Sequence, residues 1–203
     1  MPLRILEPGD YREMPWKNGG GATTELLIAP PGATLAGGFD WRVSMAAVPA
    51  SGPFSGFPGI DRTLLLVAGD GLELDHGPHG RVLLAGPWIP AAFSGDWPTE
   101  GRLLGGPCRD FNVMTARARW RHRVTLLRPG PAAAPLPEAP VLLAYGARGE
   151  ARVGGDRLRE GCLLHLEGVG ASMMVAGNGD ESLLVVVELW PVASGAMPVC
   201  GSL

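Results

Sequence analysis

The chain has 203 residues and a formal charge of −3, with 46% hydrophobic and 18% charged residues. That length suits one domain or two small ones with a substantial core, and the slight negative charge excludes a global attraction to nucleic acid or to an anionic membrane. With 31 glycines and 20 prolines, turns and short strands are expected rather than long helices.

Cys108, Cys162 and Cys200 are odd in number and far apart, which fits reduced thiols in a cytoplasm better than a disulfide framework. The N-terminal "MPLRILEPGDYREM" breaks into charge too early for a signal peptide. No apolar run approaches the ~20 residues of a membrane helix. A cytoplasmic protein without a membrane partner is expected.

The first unusual stretch is "MPWKNGGGATTE" (14–25). Gly19, Gly20 and Gly21 allow the main chain to lie close to a ligand, and Lys17, Asn18, Thr23, Thr24 and Glu25 surround them with polar groups beside Trp16. The spacing of a phosphate-cradling loop is missing, and "TTELLIA" reads as a strand where that loop requires a helix. In "DWRVSMA" (40–46) strand alternation sends Trp41, Val43 and Met45 to one side and Arg42 and Ser44 to the other. Arg42 and Ser44 either face solvent or enter an interior, where they require charged or polar company.

"SGPFSGFPGIDR" (51–62) sets Phe54 and Phe57 among glycines, prolines and serines, then places Asp61 and Arg62 before a strand. Rigid loops of this kind present side chains at the mouth of a barrel; the alternative is an apolar plug with a surface ion pair. "RTLLLVAGDGLELD" (62–75) predicts strand, Gly-Asp-Gly turn and strand, and "RVLLAGPWIPAAF" (81–93) a further strand interrupted by Gly86-Pro87 and Pro90. "FSGDW" and "RDFNVM" bring Phe93, Asp96, Trp97, Asp110, Phe111, Asn112 and Met114.

"ARARWRHRV" (116–124) puts Arg117, Arg119, Arg121 and Arg123 on one face of a strand. A phosphate-binding ribbon is one outcome, and an exposed edge strand protected by charge is the other. The net charge and the lack of a second dense basic cluster favour the edge strand and argue against nucleic acid as a partner. A subunit interface at these arginines, and with it a homodimer, stays open.

"RPGPAAAPLPEAP" (128–140) reads as a connection. The strand–turn layout then returns in "VLLAYGARGEARVGGDRLREGCLLHL" (141–166), and "ESLLVVVELW" (181–190) is the clearest buried strand. The duplicated plan predicts two β-sandwiches or barrels, a jelly-roll pair.

Metal and nucleophile signals are sparse. The four histidines form no H-x-H pair: His76 and His79 sit in a Gly-Pro turn expected at a solvated hairpin tip, His122 lies among arginines, and His165 is expected in the core with one hydrogen-bond partner. Glu25, Asp61 and Asp96 are candidate bases by location, each equally explained as a partner of Lys17, Arg62 or a backbone amide. Cys108 has no histidine nearby in sequence. No metal and no cofactor are expected.

"PWKNGGGATTE", "WRVS", "GPFSGFPGIDR", "FSGD" and "DFNVM", in that order between about residues 14 and 114, resemble the HutD/Ves family of bacterial proteins. The resemblance implies an all-β double cupin, two jelly-roll β-barrels of the RmlC-like class in one chain. Residues 1–115 would form the first barrel and 116–203 the second. It also implies an association with histidine utilisation through binding of a small acidic metabolite such as formylglutamate, and a binding or regulatory protein rather than an established enzyme. The residues here can meet such a ligand. Lys17, Arg42 and Arg62 offer charge, Asn18, Thr23, Ser44, Ser55 and Asn112 neutral hydrogen-bonding groups, and Trp16, Trp41, Phe54 and Phe93 an apolar wall. Gly20, Glu25 and Asp61 complete the expected site. A metal-dependent cupin enzyme of isomerase or dioxygenase type is the alternative, and a direct gene regulator a weaker one.

Overall fold

The computed structural model describes residues 3–16, 21–168 and 173–193. In chain order the first strands are β1 (Leu3–Leu6), β2 (Arg12–Pro15), β3 (Ala22–Ala29), β4 (Trp41–Val48), β5 (Gly52–Phe54), β6 (Ile60–Ala68), β7 (Leu72–Asp75), β8 (Arg81–Leu84), β9 (Ala91–Ser94) and β10 (Thr99–Leu103). They continue as β11 (Cys108–Ala116), β12 (Trp120–Leu127), β13 (Ala134–Pro135), β14 (Val141–Arg148), β15 (Glu150–Val153), β16 (Asp156–Arg159), β17 (Leu163–Glu167), β18 (Met174–Gly177) and β19 (Leu183–Pro191). Among the described residues the only helical segments are three-residue 3-10 turns. The frequent glycines and prolines break up any longer helical run.

The strands make four sheets, ordered β2-β3-β4-β11-β6-β9, β5-β10-β7-β8, β1-β17-β14-β19-β12 and β13-β18-β15-β16. Three hydrophobic clusters lie between them. Leu64 and Leu66 of the six-stranded sheet meet Leu72, Leu74 and Leu84 of the first four-stranded sheet. On its opposite face, Trp41, Val43, Leu65, Phe111 and Val113 meet Leu143, Tyr145, Val185 and Val187 of the five-stranded sheet. Beyond that sheet, Leu142, Leu164 and Val186 pack on Val153, Leu158 and Val175. The two large sheets therefore sit back to back and each is covered on its other side by a small one, so β4, β11, β14 and β19 are buried on both faces.

Several local expectations take a different tertiary form. The Gly69-Asp70-Gly71 turn does not close a hairpin: β6 pairs with β11 and β9, whereas β7 pairs with β10 and β8. The turn carries the chain from one sheet to the other. Gly69, at φ 115°, allows it, since a Cβ there would stand 2.6 Å from the Cys108 Cβ. β1 joins the sheet built otherwise from the second half, through β17.

β12 lies at the edge of the five-stranded sheet. Arg117 and Arg119 fall in the turn before it, so the four arginines do not form one ribbon. Three are held by acids: Arg117 by Asp61 at 2.6 Å and Asp96 at 2.8 Å, Arg119 by Asp40 at 2.5 Å, and Arg123 by Glu188 through two bonds of 2.6 Å.

Candidate functional site

Strand register assembles the site. On the face of the six-stranded sheet turned toward the first small sheet, Phe93, Arg62, Met114 and Arg42 stand in one cross-strand row. The next row holds Leu64, Asn112, Ser44 and Glu25, and the third Leu66, Asp110 and Ala46, with Thr23 beside it. A one-residue slip in any of these strands would send its members to the apolar back face. The polar residues are deeply covered: Glu25 is 7% exposed, Arg42 3%, Ser44 2%, Arg62 5%, Asp110 2% and Asn112 8%. Arg42 and Ser44 therefore face the interior, not solvent.

Arg42 donates from Nε to Glu25 at 2.7 Å and from Nη1 to the Ser44 hydroxyl at 3.1 Å. Its Nη2 finds no partner among the described residues. The Arg62 guanidinium lies between the rings of Phe57 and Phe93, at 5.3 and 4.9 Å from their centres, and donates from Nη1 to the Ser55 carbonyl at 3.3 Å. Its Nε is unmatched among the described residues, as are Asp110 Oδ1 and Asn112 Oδ1. Four buried polar atoms in one small region without partners among the described residues mark it as a place where something else completes the hydrogen bonding.

The electrostatics point the same way. Burial is the main cause pushing the Asp110 carboxyl up to about 7, against the opposing pull of Arg62 and the Ala46 amide. Burial also pushes Arg62 down to about 10, with Asp110 acting upward and Arg42 downward. Glu25 serves as the counter-ion of Arg42. Arg62 has only a carboxyl that is reluctant to ionise, so the region carries a cation in search of an anion.

The remaining expected residues divide. Trp16 is partly buried and donates from its indole N–H to Thr23 at 2.9 Å, so this pair rims the third row. Phe54 packs against the core between the two sheets of the first half, and Ser55 contributes its carbonyl rather than its hydroxyl. Trp41 does not join the cluster. It lies on the back face, edge-on to His165 at 5.8 Å, because the alternation that sends Arg42 inward sends Trp41 the other way. Asp61 does not join either: it is half-exposed and bonded to Arg117, leaving its neighbour Arg62 to point inward alone. Lys17, Asn18 and Gly20 lie outside the described residues.

His76 is not at a solvated tip. It is 1% exposed, its Nδ1 lies 2.9 Å from the Thr99 hydroxyl, and its ring sits 4.7 Å from Phe93 and 5.5 Å from Trp97. His79 is the exposed member of that pair, stacked on Trp97 at 4.6 Å. His165 is partly buried, with Nε2 3.2 Å from Glu167. Asp110, His76 and Met114 were not among the expected site residues. Asp110 and Met114 share the strand parity of Asn112 and were legible by that rule, whereas nothing local brings His76 under the sheet. Among the described residues no three His, Cys, Asp or Glu side chains gather to hold a metal ion. A separate cleft of about 490 Å³, lined partly by Leu35, Phe39, Phe57, Ile60 and Arg119, shares Phe57 with the clamp on Arg62. Its one charged group, Arg119, is already paired with Asp40.

Residues 9–184 match the model of the HutD family. An uncharacterized 21.2 kDa protein from the hutC 3' region of Pseudomonas putida is 44% identical over 123 residues, covering 60% of this chain and 63% of that protein. Protein Ves from Citrobacter koseri is 34% identical over 123 residues, covering 59% of this chain and 62% of its own length. The matches thus span less than two thirds of these relatives. HutD from Pseudomonas fluorescens SBW25, solved in a formate condition, superposes with a TM-score of 0.80 at 30% identity over 94% of this chain and 100% of that one. An oxalate decarboxylase from Lactobacillus farciminis, only 11% identical, shares the fold with a TM-score of 0.60 over 91% of this chain and 85% of that one. The fold is all-β and cupin-like.

Proposed function

Since the chain belongs to the HutD family, we propose that it is a double cupin that binds a small acidic metabolite, formylglutamate-like, and modulates histidine utilisation in the cytoplasm. The observation that carries this is the pair of buried guanidinium groups, each with a donor unmatched among the described residues, on the same sheet face as a carboxyl and an amide oxygen likewise unmatched. A carboxylate satisfies Arg42 Nη2 and Arg62 Nε with charge-assisted bonds. An N–H on the ligand satisfies the acceptor at Asn112. Phe93 and Met114 supply the apolar surface such pockets need around a few converging polar groups. The clamp of Phe57 and Phe93 holds the Arg62 guanidinium in place, so little side-chain entropy is lost on binding. No donor set for a metal ion occurs among the described residues, and nothing favours the metal-dependent alternative.

The test is calorimetric titration of N-formylglutamate, glutamate and urocanate into the purified full chain. Saturable heat from an acidic member of the set, lost on Arg62→Met, is the expected result. Absence of heat from all three at millimolar concentration removes the proposal.

A further inference from the structure

Asp110 is the group this binding role leaves unused. It sits in the third row of the inner face, almost fully covered, with Oδ1 unpaired among the described residues. The charged and titratable groups around it come from several elements. Cys108 precedes it on β11 with the same parity, and burial pushes that thiol up to about 11, so it stays neutral. From β6 comes Arg62, the cation whose field acts on Asp110 most directly. Arg42 on β4 acts on Arg62 and is held by Glu25 on β3, and Arg62 in turn acts on His76, which follows β7 in the opposite sheet. Burial lowers His76 below its ordinary 6.5, so it is uncharged at neutral pH. On the β4 side the backbone amide of Ala46 donates to Asp110.

No ion pair joins Arg62 to Asp110 among the described residues, yet Asp110, on the same buried face, is the acid whose charge acts on Arg62, and an arriving anion must share that cation with it. Two carboxylates beside one guanidinium in a dry interior repel each other strongly, and protonating one of them removes the repulsion. We infer that Asp110 is an internal competitor for the anion, so that a carboxylate bound at Arg42 and Arg62 is accompanied by uptake of a proton from solvent at Asp110. The inference rests on the anion-binding role proposed above and adds its proton linkage. Because burial already places the free carboxyl near neutrality, the exchange falls in a physiological range. Below about pH 6 Asp110 carries its proton already and binding takes up none. Above about pH 8 it is ionised, binding takes up about one proton, and affinity falls by up to about tenfold per pH unit.

The experiment uses the full chain, with N-formylglutamate and sodium formate as probes. Calorimetry at about pH 8 in two buffers of different ionisation enthalpy is expected to show uptake of about one proton per bound probe. Asp110→Asn, which keeps the shape and removes the charge, is expected to bind with affinity independent of pH and more tightly than the parent at high pH. A carbon-13 titration of the Asp110 carboxyl in the ligand-free protein is expected to have its midpoint near neutrality and to move upward when a probe saturates the site. A midpoint below about pH 5 overturns the inference whatever the probes do. Binding without proton uptake, or an equal pH slope in Asp110→Asn, overturns it and leaves the binding role standing. Failure of both probes to bind removes both.

Discussion

Arg42 and Arg62 look alike in sequence, each an arginine at the start of an apolar strand, yet their surroundings give them opposite energetics. Arg42 is one half of a buried pair with Glu25 at 2.7 Å. Arg42→Ala strands the Glu25 carboxylate in the interior, and the expected loss is about 3–5 kcal/mol by urea unfolding. Arg62 is buried between two rings, with no ion pair among the described residues and Asp110 acting on it only as a more distant charge. Arg62→Met replaces a poorly compensated buried charge with a side chain that fills the same slot. Stability is therefore expected to hold within about 1 kcal/mol or rise, while affinity for the acidic probe falls at least tenfold by calorimetry. A loss of stability as large as that of Arg42→Ala would show that Arg62 is a structural ion rather than a binding one.

Among the elements, the loop between β5 and β6 matters most, because it hangs Phe57 over Arg62. It is pinned at several points: Phe57 N–H donates to the Gly95 carbonyl at 2.8 Å, Gly95 N–H to the Ile60 carbonyl at 2.7 Å, and Gly59 N–H to Asp96 at 2.7 Å. Asp96 is held to about 2 by that amide first, then by Ser94 and Arg117. Gly95 sits so close that a Cβ would stand 2.5 Å from the Phe57 carbonyl oxygen and 2.9 Å from that of Ile60. Gly95→Ala must push the loop outward, with an expected cost of about 1–3 kcal/mol in unfolding. Calorimetry on the same variant should show weaker binding, since the ring that backs Arg62 moves with the loop. Unchanged affinity in a destabilised Gly95→Ala protein would show that Phe57 is dispensable. β12 illustrates the opposite case. Arg123 on it, and Arg117 and Arg119 in the turn before it, are drawn into ion pairs with this chain's own acids, which fits a protected edge rather than a nucleic-acid ribbon.

For the molecule as a whole, the apolar cluster between the two large sheets ties the first half to the second. Phe111 is fully buried there, its ring centre 5.1 Å from that of Tyr145. Phe111→Ala is expected to cost about 3–5 kcal/mol and to shift one cooperative transition, with fluorescence and circular dichroism moving together. Two separated transitions would show that the halves unfold independently. Two buried groups set opposing pH slopes. His122, bonded to the Thr63 and Thr115 hydroxyls, is pushed down from 6.5 to about 4, chiefly by burial. Its contribution is present above pH 6.5 and is lost as pH falls toward 4, because the unfolded chain binds the proton more readily. Asp110 moves the other way, from 3.8 up to about 7, so its contribution is present below pH 3.8 and is lost as pH rises through 7. The slopes partly cancel in the natural chain. Asp110→Asn should unmask that of His122, with unfolding free energy rising between about pH 4 and pH 6.5. A profile in the variant that stays parallel to the parent would sink that account.

How much of this was legible in the chain follows from the range of the forces involved. Strand alternation is a property of neighbouring residues, and it correctly opposed Arg42 and Ser44 to Trp41 and Met45; applied strictly, it would have kept Trp41 out of the polar cluster and brought Asp110 in beside Asn112. Glycine and proline spacing likewise marked the turns at residues 69–71 and 154–155, since backbone conformation there depends on the residue itself. Position in space is another matter. That Glu25 would meet Arg42, that Asp61 would turn to Arg117 and leave Arg62 without it, and that His76 would be carried beneath Phe93 depend on register between strands 17 to 56 positions apart in sequence. Local sequence alone determined the two-faced strands and the all-β class, because side-chain direction repeats every second residue. Only the stacking of the sheets decided that one of those faces would be sealed from water, and sealing is what turns an ordinary arginine and an ordinary aspartate into a site.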